Sequence, residues 1–211
     1  MAQRTQTRLT DAQEQRLVEA IRAGRTDAWA ELLESYQDRL YTICCRMVGD
    51  RELAADLTHD ALVRVIEGLD SYDGRAKLST WIIRVTMNVC LSKLRSEKHR
   101  RHASLDAMGE GGSGGDWPAR HAGEGEPAMV SGVQLREQHQ FLSQALARIE
   151  PDHRAVLILR DVQGLDYERI AVALELRLGT VKSRLFRARA ALRRAFEEEA
   201  GSAEPTARTD R

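Results

Sequence analysis

The stretch that decides the fold lies near the end of the chain, where residues 164–190 read GLDYERIAVALELRLGTVKSRLFRARA. Its apolar residues recur at helical spacing in two blocks. This spacing predicts a short helix from about Asp166 to Leu174 and a second helix from near Gly179 past Arg194. The inward-facing positions of the second helix are Val181, Leu185, Ala188 and Leu192. The pattern therefore predicts two helices joined by a tight turn.

The second of these helices has a cationic outer side. From Arg177 to Arg194 there are seven basic residues and no acidic one. A cationic helix that follows a short helix and a turn fits the DNA major groove, where basic side chains reach guanine edges and phosphates. The candidate contacts share one face: Thr180, Ser183, Arg184 and Arg187. The alternative is a solvated basic helix that covers a bundle. The preceding short helix and the Gly-Thr start favour DNA binding.

Composition favours an all-helical protein without a membrane span. The chain has 211 residues, enough for one large or two small domains, with 42% apolar and only 5% aromatic residues. No apolar run is long enough to cross a membrane, and the polar start does not resemble a signal peptide. Three cysteines without paired spacing, Cys44, Cys45 and Cys90, predict core or near-surface thiols in a reducing cytoplasm.

The formal net charge of zero hides a segregation of charge along the chain. Arg and Lys cluster in residues 93–101 and 177–194, whereas acidic residues gather in 104–126 and 197–204. A polyanion such as DNA responds to local patches more than to their sum. The sequence is therefore compatible with nucleic-acid binding.

Helical periodicity predicts four helices in the first hundred residues, at about 11–23, 27–48, 50–69 and 78–101. Thr10 and Gln13 form a capping-box pattern at the start of the first. On the third helix, Asp56, His59 and Asp60 make an acidic patch. An ordinary solvated face is one interpretation of this patch, which periodicity alone does not exclude. A metal or acid–base site has less support, because no second cluster offers further ligands.

The loop over residues 69–77 brings aromatic and cationic side chains next to the basic fourth helix. The side chains concerned are Tyr72, Arg75 and Lys77 in the loop, and Arg84 and Asn88 on the helix. Such groups can stack on an unpaired base and hold its backbone. Trp81 is predicted to be a core anchor, whereas for Tyr72 core packing and base stacking are equally compatible with the sequence.

Residues 102–133 change character and predict a flexible linker. Gly-rich, acidic runs such as GEGGSGG at 109–115 cannot bury enough surface to order themselves. The linker divides the chain into two small helical domains, 1–101 and 134–197, followed by a disordered tail at 198–211. The second domain is predicted to open with a helix over 133–149, to continue with one that starts at Pro151, and to end in the helix-turn-helix.

Two sets of motifs point to a known family. The first set is DLTHDALVRV at 56–65, LDSY at 69–72 and STWIIRVTMN at 79–88, and the second is LILRDVQGLDYERIA at 157–171 and GTVKSRLFRAR at 179–189. They resemble regions two and four of bacterial RNA polymerase sigma factors of the extracytoplasmic-function branch. The resemblance covers about residues 15–101 and 134–196.

This resemblance implies a protein that binds RNA polymerase core, directs it to promoters and helps open promoter DNA. Asp56, His59 and Asp60 would dock on the clamp of the largest polymerase subunits. Loop 69–77 and the start of the fourth helix, with Tyr72 and Asn88, would capture a flipped base of the −10 element. The recognition helix would read the −35 element through Lys182, Ser183, Arg184 and Arg187. An anti-sigma partner is usual in the family, and no enzyme activity, cofactor or metal is implied.

The chain departs from the family pattern at a few positions. His59-Asp60 stand where Gln-Glu is frequent, and Leu62 stands where Phe is frequent. Glu175 occupies the turn of the helix-turn-helix, where Gly or a small polar residue is frequent. Because Glu disfavours positive φ, the turn is expected to close differently.

Two other classes of protein compete with this interpretation. A dimeric DNA-binding regulator ends in a similar helix-turn-helix, but it needs a dimer interface or an upstream receiver domain. A receiver domain contains alternating strands, and the first hundred residues show only helical patterns. An enzyme has little support, because the sequence shows no phosphate loop, no nucleophile with a base and no metal-ligand spacing.

Overall fold

Four helices in the first part of the chain wrap around one apolar core. The computed structural model describes residues 9–108 and 142–202. The helices of this N-terminal unit are α1 (Asp11–Arg22), α2 (Asp27–Val48), α3 (Arg51–Gly68) and α4 (Leu78–Met108). A short 3-10 turn, Leu69–Ser71, opens the loop between α3 and α4.

Local signals in the sequence set the helix starts. The side chain of Thr10 accepts a hydrogen bond from the Gln13 amide, and the Gln13 side chain accepts one from the Thr10 amide, which confirms the capping box at α1. Asp50 caps α3 by accepting from the Leu53 amide at 2.8 Å. Gly49, at φ 72°, lets the chain reverse between α2 and α3.

The C-terminal unit contains the predicted helix-turn-helix. Helical residues 142–147 form α5. Helix α6 (Pro151–Leu157) continues into a π-helical turn, Ile158–Val162. Helices α7 (Tyr167–Leu174) and α8 (Leu178–Ser202) follow. The described residues contain helices and no strand, so the all-α prediction is confirmed.

Two helices run further than the sequence suggests. Helix α4 extends through Met108, seven residues into the predicted linker, because residues 102–108 contain no Gly or Pro to stop it. Helix α8 extends to Ser202, into the predicted tail, where Glu198 forms an ion pair with Arg148 at 3.2 Å. The rest of the predicted linker, residues 109–133, and residues 203–211 lie outside the described residues.

The two units pack against each other and share one apolar core. The buried cluster runs from Leu17 on α1 to Ala188 on α8. Helices α6 and α7 lie against α4, and α6 also contacts α2. Polar bonds cross the same boundary: Arg39 Nε donates to Gln163 Oε1 at 2.8 Å, and Lys98 lies 3.4 Å from Glu150. In this structure the units are therefore closed onto each other.

Arg154 on α6 lies at the centre of this boundary and is only 3% exposed. Its guanidinium donates to the carbonyl oxygen of Met47, near the end of α2, and to those of Ala147 and Ile149, at and just after the end of α5, at 2.8 and 2.9 Å. The Nε atom is buried and has no hydrogen-bond partner among the described residues. Burial lowers the pKa of Arg154 to about 10, so the group remains charged near neutral pH.

The cysteines occupy the core as predicted. Cys44 and Cys90 are fully buried with their sulfur atoms 3.6 Å apart, and Cys45 is half-buried; all three are free thiols. Trp81 is also buried, which confirms it as a core anchor. Among the described residues, no helix is both long and apolar enough to cross a membrane.

We expect Arg154→Ala to loosen the boundary between the units. Three carbonyl oxygens, two of them in buried contacts, would lose a charged donor, so the free energy of unfolding in urea should fall by roughly 2–3 kcal/mol. The radius of gyration from X-ray scattering should rise as the units separate. Arg148→Ala is the matched control, since that exposed arginine makes a surface pair worth about 1 kcal/mol or less. Wild-type values for Arg154→Ala in both measurements would contradict this role.

Candidate nucleic-acid interface

The helix-turn-helix begins with a capped helix and closes through a strained residue. Asp166 caps α7 by accepting from the Arg169 amide at 2.7 Å. After Leu174, Glu175 takes a left-handed conformation at φ 54° and ψ 44°. The expectation that Glu175 would change how the turn closes is therefore not met. A hydrogen bond from the Leu176 amide to the Ala171 carbonyl, at 2.9 Å, offsets part of the ~1–2 kcal/mol that this conformation costs.

Helix α8 separates a buried side from a polar side. Val181, Leu185 and Ala188 are buried and Leu192 is half-buried, as the periodicity predicts. Lys182, Ser183 and Arg187 are exposed, and Thr180 is half-buried with its carbonyl accepting from the Ser183 hydroxyl. The polar side therefore offers a hydroxyl and two cations to a partner.

Sequence reasoning missed Phe186, which lies among these residues on α8. Its side chain is 77% exposed, the most of any exposed large apolar residue in the described part of the chain. An aromatic ring between cations can contact thymine methyl groups in the major groove. The sequence does indicate that Phe186 faces outward, because position 186 does not fit the inward spacing of Val181, Leu185 and Ala188.

Two of the basic residues on α8 are held by carboxylates of the same unit. Arg184 lies 3.2 Å from Asp152, which also lies 3.7 Å from Arg95 on α4. Arg189 makes a two-pronged contact with Asp161, at 2.6 and 3.3 Å, and this contact raises the pKa of Arg189. Arg184 therefore faces the boundary between the units, whereas Arg187 faces solvent.

Loop 69–77 packs its aromatic residue inward. Tyr72 is half-buried, its ring lies 5.6 Å from that of Trp81, and its hydroxyl donates to the Ala76 carbonyl at 2.6 Å. Arg75 points outward beside Asp73, and Lys77 forms an ion pair with Asp11 of α1 at 2.5 Å. For Tyr72 the structure thus shows core packing, and base stacking remains a prediction.

Helix α4 presents Arg84 and Asn88 one turn apart. Asn88 is exposed, whereas Arg84 lies 3.6 Å from Glu175 in the turn of the helix-turn-helix. Arg169 of α7 donates to the hydroxyls of Ser79 and Thr80, in the first turn of α4, at 2.9 and 3.0 Å. The C-terminal unit therefore covers part of the surface that the sequence assigns to the −10 element.

The acidic patch on α3 is fully available. Asp56, His59 and Asp60 are all exposed on one face, and Val63 and Ile66 continue it with exposures of 37% and 44%. The described residues contain no group of three or more potential ligands that could hold a metal ion. A face of carboxylates followed by exposed aliphatic side chains suits a protein partner that offers cations and an apolar surface.

Comparisons with known proteins agree with this arrangement. A family model for sigma-70 region 2 matches residues 32–100, and one for sigma-70 region 4 matches residues 140–192. RNA polymerase sigma-H factor of Pseudomonas aeruginosa is 31% identical over 191 residues, which cover 90% of this chain and 96% of that protein. This chain belongs to the sigma-70 family of RNA polymerase sigma factors.

The relatives place this sigma factor in the extracytoplasmic-function branch. ECF RNA polymerase sigma factor SigW of Bacillus subtilis is 29% identical over 184 residues, which cover 86% of this chain and 95% of that protein. The fold is similar to that of sigma factor RpoE in a co-crystal structure with the anti-sigma factor NepR from Bartonella quintana. That similarity has a TM-score of 0.58 and 23% identity, and it covers 80% of this chain and 96% of that chain.

The sigma factor thus binds RNA polymerase core and directs it to specific promoters for transcription initiation. The α3 patch, loop 69–77, Arg84 and Asn88 all lie within the region 2 match, and the helix-turn-helix lies within the region 4 match. Helix α1 precedes both matches. Sigma factors are not a class of enzymes.

Proposed function

We propose that the two regions divide promoter recognition between them: region 4 reads the −35 element as duplex, and region 2 captures the −10 element as it melts. The observation that supports this proposal most directly is the exposed polar side of α8, which combines two cations, a hydroxyl and an aromatic ring. Region 2, comprising residues 1–101 in this proposal, supplies the second contact. The polymerase does the chemistry, so this chain acts as a specificity factor in the cytoplasm and not as an enzyme.

At the −35 element, α8 would enter the major groove. Lys182, Ser183 and Arg187 reach DNA from the exposed side, with Thr180 at the start of the helix. Arg184 joins them once it leaves Asp152. For Arg184, the exchange of the Asp152 carboxylate for a phosphate or a guanine edge costs little free energy, because a partly exposed ion pair contributes about 1 kcal/mol or less.

At the −10 element, region 2 would hold one unpaired base. Extrusion of a base costs a few kcal/mol, which stacking and backbone contacts offset. Arg75, Lys77 and Arg84 provide the cations, Asn88 offers amide hydrogen bonds to a base edge, and Tyr72 supports the loop. In this closed arrangement, Glu175 holds Arg84 and Arg169 covers the first turn of α4. Region 4 must therefore move before region 2 can bind the melted strand.

Polymerase core would drive that movement. Two weak DNA contacts that are fixed on one polymerase gain affinity through effective concentration. Binding of Asp56, His59 and Asp60 to the clamp places region 2, while the DNA duplex competes for α8. An anti-sigma factor is a further proposed partner; the similarity of fold to RpoE, which was solved with NepR, supports this choice.

We expect Arg187→Ala to weaken −35 binding without a change of fold. Loss of one phosphate or base contact should reduce holoenzyme affinity by about tenfold, and should reduce the slope of log affinity against log salt by about one if the contact is to phosphate. Arg16→Ala is the control, because Arg16 is also exposed but lies on α1, outside the helix-turn-helix. Equal losses for both variants would indicate a general charge effect and contradict the assigned face.

Asp56→Arg should abolish co-purification with polymerase core. A reversed charge in the acidic patch would repel a cationic clamp, while the exposed position leaves the fold intact. Glu31→Arg, on the exposed side of α2, makes the same charge change elsewhere and should retain the complex. Retention of the complex by Asp56→Arg would move the docking face away from α3.

A further inference from the structure

Helix α1 holds loop 69–77 and the start of α4 at three points. Asp11 pairs with Lys77 at 2.5 Å, and Arg22 Nη2 donates to the Tyr72 carbonyl, also at 2.5 Å. Between them, Glu14 Oε2 accepts from the amide of Ser79 at 3.3 Å. These contacts reach the loop at Tyr72 and Lys77 and the first turn of α4 at Ser79, although α1 lies outside the residues matched by the region 2 family model.

Glu14 is the central contact of the three. Its side chain is only 5% exposed, and Oε1 accepts from the hydroxyl of Tyr36. Burial raises the pKa of Tyr36, and this hydrogen bond to Glu14 raises it further. A buried carboxylate is costly unless it is hydrogen-bonded, so its position between a hydroxyl and a helix amide indicates a specific role.

The first turn of α4 needs an acceptor from elsewhere. The first amides of a helix have no partner within the helix, and a negative charge is favourable there. The first turn of α4 contains no acidic residue. Glu14 therefore supplies, from α1, the charge and the acceptor that a capping residue of α4 would otherwise provide.

We propose that Glu14 is a positioning residue for promoter opening, which fixes the angle between loop 69–77 and α4 and so presets the pocket for the −10 base. This rests on the proposed role of that loop. A preset pocket loses less conformational entropy when it binds the base than a loop that must order first. Arg22 acts in the same way on the backbone of Tyr72. Both partners of each contact belong to the N-terminal unit, whereas Arg169 of region 4 donates to the hydroxyl of Ser79.

The test uses the holoenzyme with Glu14→Ala, Glu14→Gln and Arg22→Ala, and with Glu19→Gln as a control on an exposed position of α1. Four quantities are measured: the rate of promoter opening by 2-aminopurine fluorescence in the −10 element, the same signal on a pre-melted template, core affinity, and thermal stability. Asn88→Ala, within the proposed pocket, is measured alongside.

Glu14→Ala should slow opening of duplex promoter by about tenfold, since a charge-assisted network is lost, with core affinity unchanged. Glu14→Gln retains an acceptor and should recover part of the rate. Arg22→Ala should slow opening by about threefold, the effect of one exposed hydrogen bond, without loss of stability. On the pre-melted template all three defects should shrink, and Glu19→Gln should behave as wild type.

Two results would overturn the proposal while the promoter function stands. In the first, both Glu14→Ala and Arg22→Ala open the promoter at the wild-type rate while Asn88→Ala is slow. In the second, Glu14→Ala loses stability, core affinity and opening in parallel and Arg22→Ala has no effect, which indicates a structural role only. A normal opening rate for Asn88→Ala would instead contradict the assignment of the −10 pocket, and the positioning role of Glu14 would fall with that assignment.

Discussion

The closed arrangement of this sigma factor depends on a buried guanidinium that is held by backbone oxygens. Arg154 lies between regions 2 and 4 and donates to carbonyl groups near the ends of α2 and α5. The negative ends of two helix dipoles therefore stabilise its charge. A buried charge of this kind is stable only while the surrounding apolar surfaces exclude water. The polar contacts that cover Arg84 and the first turn of α4 cross the same boundary.

That dependence links the fold to the order of events at a promoter. The ion pair between Arg84 of region 2 and Glu175 of region 4 is weak because it is partly exposed, so it does not keep region 4 in place by itself; the pair of Arg184 with Asp152 lies within region 4. The shared core and Arg154 keep it there. A partner that competes for this boundary would free Arg84 from Glu175 and the first turn of α4 from Arg169 in one step. Polymerase core, which in our proposal binds the open α3 face without needing that step, is well placed to start it.

Much of this architecture follows from the sequence. Apolar spacing predicts the bounds of α2 and both helices of the helix-turn-helix, and capping patterns predict the starts of α1 and α3. The outward positions of Lys182, Ser183 and Arg187 follow from the same period. These features are local, because each depends on residues within a few turns of one another.

The features that the sequence does not predict depend on contacts between distant parts of the chain. Arg184 lies in the predicted recognition face, but Asp152 draws it towards the boundary. Glu14 reads as a polar residue of an exposed helix until Ser79, 65 positions later, is brought to its carboxylate. Glu175 shows the reverse: local propensity disfavours its conformation, and the packing of two helices imposes it. Contacts of this kind join residues from different segments, so the pattern within one segment does not predict them.

The central claim is that region 4 covers the proposed −10 contacts in the free protein, and that the −35 and −10 contacts act together only on polymerase core. The most direct measurement is the affinity for a promoter duplex of the free protein and of the holoenzyme, with core alone and a scrambled −35 sequence as references. We predict weak binding by the free protein and sequence-dependent binding by the holoenzyme that is tighter by a factor on the order of a hundred or more. Equal affinity of the two forms for the promoter would contradict the account.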